Sequence, residues 1–203
     1  FSYLIICHIG FMIAGFSIGT QLALTGVLFY MFHDIIVKSN LFLVSGVLHR
    51  ITGSTKLANM GGIMENKATL AILFAIPLFS LVGIPPLSGF WPKISLFGGA
   101  IYAEKWYVLA ALIFGSFMTL LVVAKVWLAV FSKPLPVSPP KKMFKYFDAF
   151  NSGEKRILII PIVLLAIVSL YFGLFAEHIQ QLSERIADEL INNQTYIETV
   201  FGQ

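Results

Sequence analysis

The chain is 203 residues long, 58% apolar and only 12% charged, with a mean hydropathy of +0.85 and a formal net charge of +4. Soluble domains carry about 25% charged residues, so this composition, with apolar runs of about 20 residues, excludes a soluble core and makes lipid the solvent. The basic residues sit mainly between apolar runs, which reads as topology control and not as a nucleic-acid surface. The single cysteine, Cys7, excludes an internal disulfide and any cysteine-based metal cluster.

The chain begins at Phe1, without methionine or a charged n-region, and runs straight into an apolar stretch. That start argues against a signal peptide and reads as a portion whose N-terminal part lies outside the sequence. The first span covers about Ser2 to Ile18 and the second about Leu22 to Leu48. A polar loop from His49 to Lys67 follows, with turn signals at Thr52-Gly53-Ser54 and Gly61-Gly62. The next apolar region, Ala68 to Ala103, is 36 residues long; at about 20 residues per crossing it predicts two helices divided near Gly83-Ile84-Pro85-Pro86. A fifth span covers about Trp106 to Phe131. A basic, Pro-containing loop runs from Ser132 to Arg156, and a sixth span from Ile157 to about Ala176. The tail, 177–203, is amphipathic, with Ile179, Leu182, Ile186, Leu190 and Ile191 at helical spacing.

With six crossings the 132–156 loop holds Lys133, Lys141, Lys142, Lys145, Lys155 and Arg156, against Arg50, Lys56, Lys67, Lys105 and Arg185 on the other side. Six against five is a slight bias towards a cytoplasmic 132–156 loop and an outer C-terminal tail.

Polar residues placed where lipid should be carry the functional information, because a charge at the centre of a span costs about 2.5–3.5 kcal/mol on insertion scales. Asp34 and Lys38 are i, i+4 near the middle of the second span and can pair. Tyr30 continues that face one turn earlier, while His33 sits about 100° round the helix, where it could address a second path. Lys93 follows a crowd of helix breakers, Pro85, Pro86, Gly89 and Pro92. Pro92 clashes with the carbonyl four residues back, near Ser88, so a discontinuous helix is expected there, lining protein or a wet cavity. A lysine at such a break sees free dipoles in a low dielectric, which suits it to accept and release protons.

Lys125 lies within snorkelling reach of its span's end and reads first as an anchor, with a proton path as the second reading. His8, alone in the first span, reads first as an interhelical hydrogen-bonding residue and second as a relay. The glycines Gly10, Gly15, Gly19, Gly98 and Gly99 read as close helix contacts. No phosphate loop, nucleophile–histidine pairing or zinc spacing is present in the sequence, so neither an enzyme nor a bound cofactor or metal is expected.

The run His33-Asp-Ile-Ile-Val-Lys38-Ser-Asn-Leu-Phe-Leu-Val-Ser-Gly46 resembles a signature helix of the proton-conducting antiporter family. Gly83-Ile-Pro-Pro-Leu-Ser-Gly-Phe-Trp-Pro-Lys93 resembles that family's Gly-Leu-Pro-Pro-Leu-x-Gly-Phe-x-x-Lys motif almost position for position. The family includes the large subunits of Mrp-type cation/proton antiporters and the antiporter-like subunits of respiratory complex I. The opening Cys7-His8-Ile-Gly-Phe-Met is similar to its Ser-Gln-Ile-Gly-Tyr-Met. The tail, from Gly173-Leu-Phe to Tyr196-Ile-Glu-Thr-Val-Phe-Gly202, is similar to the C-terminus of the D-type subunits of Mrp Na+/H+ antiporters.

The resemblance implies an all-α integral membrane fold of about six transmembrane helices, one of them discontinuous. Residues 1–131 would form the second five-helix inverted repeat, 132–156 a loop, 157–176 a closing helix and 177–203 the tail. It also implies proton translocation along a hydrated axis through Lys93, Lys38, His33, Asp34 and Tyr30, with His8 and Lys125 as outlying candidates, coupled to sodium export. The implied partners are the other subunits of a hetero-oligomeric antiporter in the bacterial inner (cell) membrane, together with protons, Na+ or another monovalent cation, and lipid. Family members often carry histidine where this chain has Asp34, a departure that would hold Lys38 charged and route the proton through Tyr30, His33 or water.

The main alternative is an antiporter-like subunit of complex I or a membrane-bound hydrogenase, with the same lysines coupled to electron transfer. A b-type haem held by His8 and His33 leaves the Lys93 motif unexplained, and a passive scaffold leaves three mid-membrane charges unexplained.

Overall fold

The computed structural model describes residues 2–54, 56–134, 151–192 and 202. Lys141, Lys142 and Lys145 of the basic loop, and the tail beyond Asn192 apart from Gly202, lie outside the described residues. Helix α1 spans Ser2–Ile18 and α2 spans Gln21–Thr52; a 3-10 turn at Leu57–Asn59 leads to the short α3, Ile63–Asn66. Helices α4, Ala68–Val82, and α5, Phe90–Tyr102, flank the proline-rich break. Helix α6, Trp106–Trp127, ends in a π turn at Leu128–Ser132, and α7, Ser152–Leu174, leads into α8, Ala176–Ile191. The described residues contain helices and turns only, so the all-helical membrane fold is as expected.

Local chemistry sets the ends. Thr20 caps α2 by accepting the Ala23 N–H at 3.2 Å, and Gly53 closes it in a left-handed conformation. Asn151 and Glu154 form a capping box at the start of α7. Helices α2, α6 with its π turn, and α7 are each long and apolar enough to cross a bilayer, while α1 and α4 are shorter apolar helices.

Helix α2 is the axis of the molecule. At 1.5 Å per residue its 32 residues extend about 48 Å, beyond the roughly 30 Å hydrocarbon core. It runs past the expected limits of Leu22 and Leu48. Its two halves are covered by different partners. Phe74, Leu78 and Leu81 of α4 join Val37, Leu41, Val44 and Ile51 in one core; Leu96 and Ala100 of α5 join Ala23, Val27 and Tyr30 in another. Helix α5 comes close because small residues meet, Gly99 facing Ala23 and Gly26 facing Ser95 and Leu96.

Among the described residues, helices α1, α2, α4, α5, α6 and α7 occupy the apolar stretches expected, but α4 and α5 are not an antiparallel pair. They lie in series along α2 as two halves of one crossing, with the discontinuity at residues 83–89. The expectation of two separate crossings in 68–103 is corrected accordingly. Pro92 also does not make the break: it sits in the first turn of α5, where a missing N–H has no intrahelical partner to lose. Making one crossing of α4 and α5 changes the sidedness of the loops. The 49–67 loop and the end of α6 share one face, joined by the Gly62 N–H donating to Lys133 O at 2.7 Å. Thr20, Tyr102 and Glu184 meet at the opposite end. The expectation that Arg50, Lys56 and Lys67 lie across the membrane from Lys133 is thus overturned.

Candidate functional site

The interior polar groups gather where α1, α2, α5 and α7 meet around the break. On α2, Asp34 joins two neighbours. Lys38 Nζ lies 2.7 Å from Oδ2, and His8 Nδ1 on α1 lies 2.9 Å from Oδ1. A carboxylate only accepts, so His8 carries its proton on Nδ1 and turns Nε2 away from the pair. That Nε2 is buried without a partner among the described residues. His8 and Tyr30 are fully buried, and Asp34 is 7% exposed.

Tyr30 fills the space between two histidines. Its ring centroid is 5.6 Å from His8 and 5.7 Å from His33, and it stacks on Phe11 at 5.6 Å. The hydroxyl of Tyr30 is buried and unpartnered, like Nε2 of His33. His33 Nδ1 lies 2.8 Å from Ser88 Oγ in the break. Gly89 is required beside it: a Cβ there would overlap the Ser80 carbonyl and come within 3.0 Å of the His33 ring.

Lys93 is held in another way. Helix α4 ends in a Schellman motif, Gly83 at φ 87° donating to Ser80 O at 3.0 Å and Ile84 donating to Phe79 O at 3.3 Å. The next two carbonyls receive the ammonium: Lys93 Nζ donates to Val82 O at 2.6 Å and to Leu81 O at 3.3 Å. The negative end of the α4 dipole therefore carries the lysine's charge. The Phe11 ring adds a cation–π contact, its centroid 5.8 Å from Nζ. Lys93 is 5% exposed.

The structure thus brings Lys38, Asp34, His8, Tyr30, His33 and Lys93 into one buried region and leaves Lys125 outside it. Lys125 is exposed on α6, near Leu121, Leu128 and Lys133. Pro85, Pro86 and Gly89 lie in the break, and Pro92 follows it. Sequence reasoning missed Ser80, Ser88 and Ser169, whose hydroxyls meet at the break, and Phe11 beneath Lys93. It also missed Trp91, which donates to Gly173 O at 2.8 Å and ties α5 to α7. Hydroxyls inside apolar spans were the available signal. No group of three or more His, Cys, Asp or Glu among the described residues could hold a metal ion.

Residues 2–119, which contain both lysine motifs, match the family model described as NADH:quinone oxidoreductase/Mrp antiporter, TM. The chain belongs to this family. Among its relatives there, the D-type subunit of the Na(+)/H(+) antiporter of Alkalihalophilus pseudofirmus is 38% identical over 202 residues, covering 100% of the chain and 39% of the relative. The corresponding D-type Na(+)/H(+) antiporter protein of Bacillus subtilis is 29% identical over 201 residues, 99% of the chain and again 39% of the relative. The chain thus spans about two-fifths of the length of these curated relatives. The solved structure of the Mrp complex from Dietzia sp. DQ12-45-1b contains a chain similar to this one, with a TM-score of 0.79 and 26% identity. The match covers 94% of the chain and 42% of its counterpart. The chain is a multi-pass membrane protein of the cell membrane, on family membership and its long apolar helices together.

Proposed function

We propose that this chain is the C-terminal part of a proton-translocating subunit of a multisubunit cation/proton antiporter, a secondary transporter and not an enzyme. The observation that carries the reading is the buried row from Lys38 through Asp34, His8, Tyr30 and His33, with Lys93 at a helix break beside it. Charges and unpartnered nitrogens at that depth are costly in a passive spacer, and such residues mark ion and proton paths. The relatives named as Na(+)/H(+) antiporter subunits favour the antiporter over coupling to electron transfer.

Each group has a proton-handling role. Lys93 exchanges a proton against the carbonyl end of α4: charged, its ammonium is attracted by the negative end of that helix dipole; neutral, its two remaining N–H groups can still meet the Leu81 and Val82 carbonyls but the charge attraction is gone. Asp34 pairs with Lys38 through one carboxylate oxygen and with the other fixes His8 with Nε2 open. Nε2 of His8, the Tyr30 hydroxyl and Nε2 of His33 are the open polar atoms between the two lysines. Water reaching them would complete a path in which each group both takes and gives a proton. The other subunits of the complex, and the part of the longer polypeptide beyond this chain, would supply the remaining path and the cation, sodium or another monovalent ion.

The test is cation-dependent proton exchange in inverted vesicles carrying the complete complex, after equal assembly is established. Lys93→Ala is expected to abolish sodium-driven pH recovery. Full exchange in that variant would reduce Lys93 to a packing residue and remove the mechanistic part of the proposal.

A further inference from the structure

Three serines from three segments close a triangle against His33. The Oγ atoms of Ser80 near the end of α4, Ser88 in the break and Ser169 on α7 lie 2.7, 3.0 and 3.0 Å apart. Their exposures are 0%, 0% and 1%. His33 reaches the triangle through Nδ1, 2.8 Å from Ser88 Oγ, while Nε2 is buried without a hydrogen-bond partner among the described residues. Asp34, Lys93, His8 and Lys38 are near enough to act on His33 electrostatically. Its hydrogen-bond partner, however, is a hydroxyl.

A serine hydroxyl has one proton to donate and two lone pairs to accept with, so the donation patterns can be counted. If Nδ1 of His33 carries a proton, it donates to Ser88. The three hydroxyl protons then run round the triangle, one to each edge, for four hydrogen bonds. If Nδ1 is bare, Ser88 must turn its proton towards the imidazole. Two protons then remain for three edges, and the total falls to three. The imidazolium form keeps Nδ1–H and therefore keeps the four-bond set.

We propose that the Ser80–Ser88–Ser169 triangle is a positioning device that holds the proton of neutral His33 on Nδ1 and leaves Nε2 as its working nitrogen. The proposal rests on the proton-path reading of His33 and adds which nitrogen carries the transported proton and what selects it. In uptake, a hydrated proton bonds to the Nε2 lone pair and gives the imidazolium. In release, that N–H breaks and the proton leaves to water. Nδ1–H is retained throughout, and nothing is oxidised or reduced. Ser80 and Ser169 act through Ser88.

The experiment uses the intact complex with ring-15N-labelled histidine, in which nitrogen chemical shifts separate protonated from bare ring nitrogens. The His33 signals are assigned by their loss in His33→Gln, at a pH where the ring is neutral. Wild type is expected to show the Nδ1–H tautomer. Ser169→Ala leaves two hydroxyls, for which both tautomers make two bonds, so the preference is expected to fall roughly fivefold, the worth of one net hydrogen bond. Ser169→Thr restores the hydroxyl and should restore the ratio. Trp91→Phe loosens the same junction between α5 and α7 without touching the triangle, and should leave the ratio unchanged; a shift in this variant would mean that packing, not hydroxyl count, sets the tautomer. A wild-type His33 protonated at Nε2, or a ratio unmoved by Ser169→Ala, overturns the proposal. Full cation-driven exchange in His33→Gln would remove the transport role of the nitrogen, whatever the tautomer ratio is.

Discussion

Lys38 and Lys93 both enter the apolar interior beside the same helix, yet they are held by different chemistry. Lys38 meets a full negative charge, with Asp34 Oδ2 at 2.7 Å and His8 on the other carboxylate oxygen. Lys93 meets the carbonyls of Leu81 and Val82 and the face of Phe11. An ion pair fixes a charge, because removing one partner strands the other in low dielectric. A helix end offers only partial charge, equivalent to about half an electron spread over several carbonyls. The difference teaches that two lysines packed into one interior are not thereby equivalent: under the proposed function, one serves as a fixed counter-charge and the other exchanges its proton.

Arginine separates these roles most sharply, because it supplies a permanent charge and cannot deprotonate in a protein. Lys93→Arg should assemble while losing cation-driven exchange by about 100-fold or more, the scale of a lost positioned proton-transfer group. Lys38→Arg should retain its charge pairing with Asp34 and lose roughly tenfold less exchange than Lys93→Arg. Rates measured side by side in inverted vesicles check this. Equal loss in the two variants would erase the distinction.

The ion pair has its own test in stability. Asp34→Asn leaves Lys38 with no carboxylate and leaves one acceptor oxygen where Lys38 and His8 now have two. Breaking a buried pair on one side costs about 3 kcal/mol. Asp34→Asn with Lys38→Gln should recover more than half of that loss, since neither charge is then stranded. Thermal unfolding of the purified complex completes the double-mutant cycle. Additive losses would mean that the 2.7 Å contact contributes nothing to coupling.

Part of this arrangement could be read from the sequence, and part had no letter to be read. Asp34 and Lys38 declare themselves by spacing on one helix, and Lys93 by the prolines and glycines before it. The acceptors of Lys93 could not appear, because backbone carbonyls are the same at every residue; only the Schellman geometry leaves those of Leu81 and Val82 to the lysine. The serine triangle joins positions 80, 88 and 169, and each serine is averaged away in an apolar window. The direction of α4 and α5 was hidden for another reason. Hydropathy measures how much apolar chain exists, and 36 apolar residues fit two short crossings or one interrupted crossing equally well. Loop charge held the missing signal. If α4 and α5 form one crossing, Arg50, Lys56 and Lys67 join Lys133, Lys155 and Arg156 on one face, leaving Lys105 and Arg185 on the other.

The same regrouping gives a prediction that leaves transport unchanged. Six basic described residues against two is a decisive bias, and the positive-inside rule assigns the face bearing Lys56 and Lys133 to the cytoplasm. Single cysteines replacing Lys56, Lys133 and Lys105, in an intact protein otherwise free of cysteine, distinguish the two topologies by labelling with an impermeant maleimide. All three positions are exposed. With α4 and α5 in series, Lys56→Cys and Lys133→Cys label in inverted vesicles, and Lys105→Cys labels in right-side-out ones. Two separate crossings would instead put position 56 with position 105 and leave 133 opposite. That outcome would also undo the series arrangement, and with it the placement of the Lys93 break half-way along α2.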